Sequence, residues 1–105
     1  MTINDIYVYC FRNLERMYFK DTEKYDNLGI ILGQMSPELF KNSKSADPAF
    51  YGDFKNEIKG IAGGKENYSF LDGLSTMKVI LQQYNNKYGY ELSNVLNDID
   101  IFFDV

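Results

Sequence analysis

The stretch from Ser69 to Tyr88 constrains this chain most. Phe70, Leu74, Met77, Leu81, Tyr84 and Tyr88 recur at gaps of four, three, four, three and four. That spacing draws one apolar stripe down a helix of about five turns. Ser69 stands in the N-cap position with Asp72 three residues on, the pattern of a capping box, and Gly89 falls where a left-handed C-terminal cap belongs. Such a helix cannot bury its stripe alone, so other apolar faces must cover it.

The remaining segments supply them. A first helix opens at Thr2 with Asp5 three residues later, and carries Ile3, Tyr7, Cys10, Leu14 and Met17, thickened by Ile6, Phe11 and Tyr18. Arg12, Glu15, Arg16 and Lys20 lie mostly on its other side, and that mixture of signs excludes a membrane-surface helix. Asp21 to Asn27 reads as a polar loop around Tyr25. A shorter second helix turns Leu28, Ile31, Leu32 and Met35 inward, capped by Asp26 or Asn27. Its Gly29 and Gly33 cost roughly 1 kcal/mol each in helix propensity, which calls for a backbone or a bulky ring packed closely there. Ser36-Pro37-Glu38 predicts one helical turn with Leu39 and Phe40, and Lys41 to Ala46 a loop. Asp47-Pro48 repeats the cap-plus-proline signal and opens a third helix to about Ile61, with Phe50, Phe54, Ile58 and Ile61 inward and Gly60, Gly63 and Gly64 ending it. Leu92, Val95, Leu96 and Ile99 mark a fifth helix, closed by an apolar anchor of Phe102 and Phe103. No segment alternates with a period of two over more than four residues. The fold class is therefore all-α, a compact bundle of about five helices in one domain, 1–105. A chain of 105 residues buries roughly two-thirds of its unfolded surface and needs no metal or disulfide to fold.

The chain also echoes itself. A shift of 67 residues carries Thr2, Ile3, Asp5, Tyr7, Cys10, Leu14 and Met17 onto Ser69, Phe70, Asp72, Leu74, Met77, Leu81 and Tyr84. A shift of 64 carries Leu28, Ile31, Leu32 and Met35 onto Leu92, Val95, Leu96 and Ile99. Residues 2–35 and 69–99 thus read as two long-short helical hairpins that should face each other, joined by a segment holding the helix at about 48–61.

Composition narrows the chemistry. The chain has no histidine, which removes the commonest general base and zinc ligand, and its one cysteine, Cys10, lies on the apolar face of the first helix. Gly60 to Glu66 resembles a phosphate loop only superficially: it follows a helix, and Glu66 stands where a magnesium-binding hydroxyl belongs. Asp98, Asp100 and Asp104 lack the spacing of a calcium loop. No catalytic residue, cofactor or metal is expected, and the chain does not read as an enzyme. A net charge of −4 disfavours nucleic acid and suits a basic protein partner. With no apolar run near the roughly 20 residues needed to span a bilayer, no secretory pattern and a lone cysteine, the chain is expected to be cytoplasmic.

Partner contact is then the chemistry to look for. The run Asp47 to Phe54 mixes aromatics with acids; Tyr51 and Asp53, with Glu57 one turn on, are expected on its exposed side. Tyrosine is enriched at the energetic centres of interfaces and acids at their steered rims. Tyr25 and Asp26, then Asp98 and Asp100, are the other candidate contact residues.

Leu28-Gly29-Ile30-Ile31-Leu32-Gly33-Gln34-Met35-Ser36, followed by a polar loop, Asp47-Pro48-Ala49 and Asp53-Phe54, resembles a pattern in small bacterial immunity proteins of contact-dependent growth inhibition and related polymorphic toxin systems. The resemblance covers about residues 14–61, and this chain has Phe54 where those proteins carry Trp. It implies a cytoplasmic protein that binds and neutralises a cognate toxin domain, a basic protein expected to be a nuclease, with a monomer expected ahead of a homodimer. Two rivals stand beside it: a small regulatory or scaffold protein that pairs with itself through Phe102, Phe103 and exposed tyrosines, and, of lower priority without histidine, an enzyme that uses only carboxylates and tyrosine.

Overall fold

Two capping boxes fix where the long helices begin. Thr2 Oγ1 accepts from the Asp5 amide at 3.2 Å while Asp5 Oδ2 accepts from the Thr2 amide at 3.1 Å. Ser69 Oγ and Asp72 repeat the exchange at 3.1 and 3.0 Å. From these starts run α1 (Ile3–Lys20) and α4 (Phe70–Lys87), each of 18 residues. The computed structural model describes residues 1–36 and 48–103, and adds α2 (Leu28–Met35), α3 (Pro48–Ala62) and α5 (Ser93–Phe102). Among the described residues there are five helices and no strand, and no helix is long and apolar enough to cross a membrane. The predicted turn with Leu39 and Phe40, the loop 41–46, the Asp47 cap and Asp104 lie outside the described residues.

α1 is the hub and packs against all four other helices; α4 packs most extensively on α3. Ile6, Tyr7, Cys10, Phe11, Leu14 and Met17 form the α1 side of one continuous core. At its centre Tyr7 is fully buried, donates its hydroxyl to the Met35 carbonyl at 2.7 Å, and lies edge-on to Tyr51 and Phe54 at 5.0 and 5.2 Å. One hydrogen bond and two ring contacts thereby tie α1 to the end of α2 and the start of α3. Gly29 finds the predicted bulky ring: a Cβ there would sit 3.2 Å from Tyr18, whereas none of the described atoms lies within 4 Å at Gly33.

The core face of α4 is rotated from the predicted stripe. Gly73, Leu74, Thr76, Met77, Ile80 and Leu81 are buried, while Phe70 and Tyr88 at its two ends are 39% and 57% exposed. The cause is Gly73. A Cβ there would stand 2.6 Å from Ile6 Cγ2 and 3.1 Å from Cys10 Sγ, so α1 and α4 meet at a contact only glycine permits. Ile61 is 43% exposed instead of inward: it occupies the last turn of α3, and the neighbouring Ala62 packs against the core there instead. Neither Asp26 nor Asn27 caps α2. Asn27 has helical backbone angles and its side-chain amide donates to the Glu91 carbonyl at 3.4 Å.

The 67-residue echo has a geometric counterpart. Met1 and Tyr68, related by that shift, exchange backbone hydrogen bonds: Tyr68 N donates to Met1 O at 2.7 Å and the Met1 ammonium to Tyr68 O at 3.3 Å. Ile6 and Gly73, also related by it, meet at the helix crossing. Two pairs of residues related by the shift thus touch each other between the N-terminal halves of α1 and α4. The correspondence stops there: α5 packs on α1, but α2 makes no comparable contact with α4, whose flank α3 covers instead.

Candidate partner-binding surface

The C-terminal end of α4 is built around tyrosines. Gly89, at φ +68°, reverses the chain so that Tyr90 N donates back to the Tyr84 carbonyl at 3.4 Å. That return sets Tyr84, Tyr88 and Tyr90 mutually edge-on or tilted, with centroids 5.1 to 6.2 Å apart. Tyr84 rests in turn on the buried Phe50 of α3 at 5.4 Å. The series runs from a fixed core ring to an exposed one, so Tyr88 is presented on a rigid base.

Beside it, α3 and α4 leave a cleft of about 530 Å³, bordered by Asp53, Asn56 and Glu57 from α3 and by Gln83, Lys87 and Tyr88 from the α4 side. Glu57 Oε1 accepts from Gln83 Nε2 at 3.2 Å, the only side-chain hydrogen bond that closes this seam among the described residues. Asp53 is exposed and has no ion-pair partner among them. The Lys87 ammonium lies 5.8 Å from the centroid of the Tyr88 ring. Tyr51, expected on this surface, instead turns half inward onto Tyr7, and its burial raises the phenol above its ordinary range.

Tyr25, Asp98 and Asp100 are engaged within the fold. Tyr25 is buried and donates its hydroxyl to Asp98 Oδ2 at 2.7 Å, and Lys24 Nζ reaches the same oxygen at 2.9 Å. The Tyr25 hydrogen bond, then that of Lys24, holds the Asp98 carboxyl below the usual range; the bond to Asp98 raises both Tyr25 and Lys24. Asn94 Nδ2 adds a bond to the Lys24 carbonyl at 3.2 Å. The loop between α1 and α2 is thus laced onto α5, which leaves Asp26 exposed beside Glu23 and Glu91 but withdraws Tyr25 and much of Asp98. Asp100 is exposed and pairs with Lys78 at 2.7 Å, joining α5 to α4. The seven predicted residues are therefore dispersed: Asp53 and Glu57 share the α3–α4 cleft, Tyr25 and Asp26 border a second pocket beside Asp98, and Tyr51 and Asp100 lie apart from both.

Tyr84, Tyr88 and Tyr90 were not among the predicted contact residues. Their signal was present in a tyrosine pair four residues apart just before a glycine, with a third tyrosine just after it. The glycine-rich segment after α3 is a helix terminator: Tyr68 donates its hydroxyl to the Gly63 carbonyl at 3.0 Å, and Lys65 pairs with Asp72 at 3.0 Å. Among the described residues no three His, Cys, Asp or Glu side chains converge as a metal site would need. The chain matches no protein-family model, no curated protein and no solved structure.

Proposed function

We propose that this chain is an immunity protein that neutralises a basic toxin domain, a nuclease of a contact-dependent inhibition or related system, by stoichiometric binding in the cytoplasm. The observation that carries the proposal is the exposed Tyr88, fixed on the Phe50–Tyr84 base and bordered by Asp53 and Glu57. A rigid aromatic anchor with an acidic rim is the arrangement that gives affinity from one buried ring and encounter rate from charge. The net charge of −4 and the α2–α3 sequence pattern support the same conclusion. In this mechanism the protein needs no catalytic group: it covers the active site or substrate channel of its partner.

Co-expression tests it. The chain should rescue cells from the toxin domain encoded beside it and co-purify with that domain at one-to-one stoichiometry. A neighbouring toxin that kills equally with or without this chain would overturn the proposal. The self-pairing alternative retains one observation in its favour, the exposed Phe19 and Ile101 (69% and 77%), which lie with the half-buried Phe102 in one shallow groove. Phe103 is buried and unavailable to it. Two exposed side chains fall far short of the roughly 800 Å² per partner that stable interfaces bury. A concentration-independent monomer mass in sedimentation equilibrium would reject self-pairing.

A further inference from the structure

We infer that the cleft between α3 and α4 receives a single arginine side chain of the partner, a specificity that rests on the proposed toxin-binding role.

Asp53 and Glu57 are one helical turn apart on α3, where like charges repel and cost helix stability. Neither is neutralised from within the described chain. Among the described residues Glu57 accepts only an uncharged amide, from Gln83, and Asp53 has no ion-pair partner. The one cation bordering the cleft, Lys87, pairs with neither carboxylate and stands over the Tyr88 ring. A cation thus already lies within reach of this ring while neither carboxylate carries a counter-charge among the described residues. A guanidinium suits the site better than an ammonium. It is planar, stacks on an aromatic face and presents donors in a fork, so it can lie on Tyr88 and still donate to Asp53 and Glu57. The cleft volume of about 530 Å³ admits such a side chain without displacing the Phe50–Tyr84 base. The Lys87 side chain, exposed and flexible, can swing aside.

The test is a nuclear magnetic resonance titration of the full chain with a capped glycine–arginine–glycine peptide, run against its lysine and citrulline counterparts. Saturable shifts in the millimolar range should centre on residues 53–57 and 83–88, weaker for lysine and absent for citrulline, which keeps the shape without the charge. Asp53→Asn and Glu57→Gln, both at the surface, should each weaken arginine binding about tenfold, the loss expected for one charge-assisted hydrogen bond. Lys87→Gln should strengthen it about threefold by removing the resident cation. Equal shifts with citrulline, shifts scattered over the surface, or no saturable shift would each overturn the inference. If the toxin domain co-purifies but these three variants bind it unchanged, the arginine site fails while the immunity role stands. If the peptide titrates as expected but no toxin is neutralised, the role fails and the site stands.

Discussion

The α1–α4 crossing makes a sign prediction that helix propensity alone would get wrong. At an open helical position, glycine to alanine gains about 1 kcal/mol. Gly73→Ala must place a methyl 2.6 Å from Ile6 Cγ2 and 3.1 Å from Cys10 Sγ, where carbon pairs prefer about 3.5–4.0 Å. Ile6 is β-branched and fully buried, so Cγ2 cannot rotate away without driving Cδ1 into the core. The helices must separate by nearly an ångström, and overpacking of that kind costs about 1–3 kcal/mol. Set against the propensity gain, the expected outcome is a net loss of up to about 2 kcal/mol in denaturant unfolding followed by far-ultraviolet circular dichroism, or a fall in melting temperature of about 4–8 °C per kcal/mol. Gly60→Ala is the matched control. None of the described atoms lies within 4 Å of its added methyl, so it should be neutral or gain up to about 1 kcal/mol. Ile6→Leu, which moves the branch from Cβ to Cγ, should make Gly73→Ala cheaper by about 1 kcal/mol or more in a double-mutant cycle. If Gly73→Ala stabilises the protein as much as Gly60→Ala, the close crossing is refuted.

Three further outcomes follow from the packing. Tyr7→Phe removes the buried hydrogen bond to the Met35 carbonyl and should cost about 1–2 kcal/mol by the same unfolding assay, with the ring contacts intact. Asp98 is held below the usual carboxylate range, so its stabilisation is present above about pH 4 and lost as the pH falls through its lowered folded value; raised Tyr25 and Lys24 contribute below about pH 10 and lose that contribution as the pH rises. Wild type should therefore exceed Asp98→Asn in melting temperature across neutral pH, with the difference shrinking at both extremes. Burial raises the Cys10 thiol far above its ordinary range, so a thiol reagent at pH 8 should label it only at the rate of unfolding, and immediately in denaturant.

Much of this fold was legible where local chemistry and global packing agree. The capping boxes at Thr2 and Ser69, the left-handed Gly89 and the apolar run of α2 each stand where the residue pattern puts them. Patterning failed where burial does not require an apolar side chain. Gly73 and Thr76 carry no hydrophobic signal, yet both are buried: one because a helix needs its emptiness, the other because its hydroxyl bonds back to the Asp72 carbonyl at 2.7 Å. Asn13 is likewise buried on α1, with its amide on the Tyr9 carbonyl at 2.9 Å. The echo between the hairpins shares this strength and this blind spot. It found the helices that meet, and it could not foresee that their meeting point pairs Ile6 with a glycine.

The binding surface was harder to read, and tyrosine is the reason. Its ring favours burial and its hydroxyl favours water or a partner, so periodicity alone leaves its environment open. Tyr25 sits in a polar loop yet is buried, because Asp98, distant in sequence, offers its hydroxyl an acceptor. Tyr51 follows a core phenylalanine and still turns half inward, because Tyr7 offers an edge. Tyr88 completes an apolar stripe and is exposed, because Gly89 ends the helix before anything covers it. For Tyr25 and Tyr51 the deciding neighbour comes from the tertiary fold. The acids show the same division: Asp98 and Asp100 each have a lysine within ion-pair distance, while Asp53 and Glu57 have none among the described residues. Carboxylates left unmatched one turn apart, beside an anchored and exposed ring, are the feature of this surface that folding alone does not explain, and a cationic partner would supply the missing counter-charge.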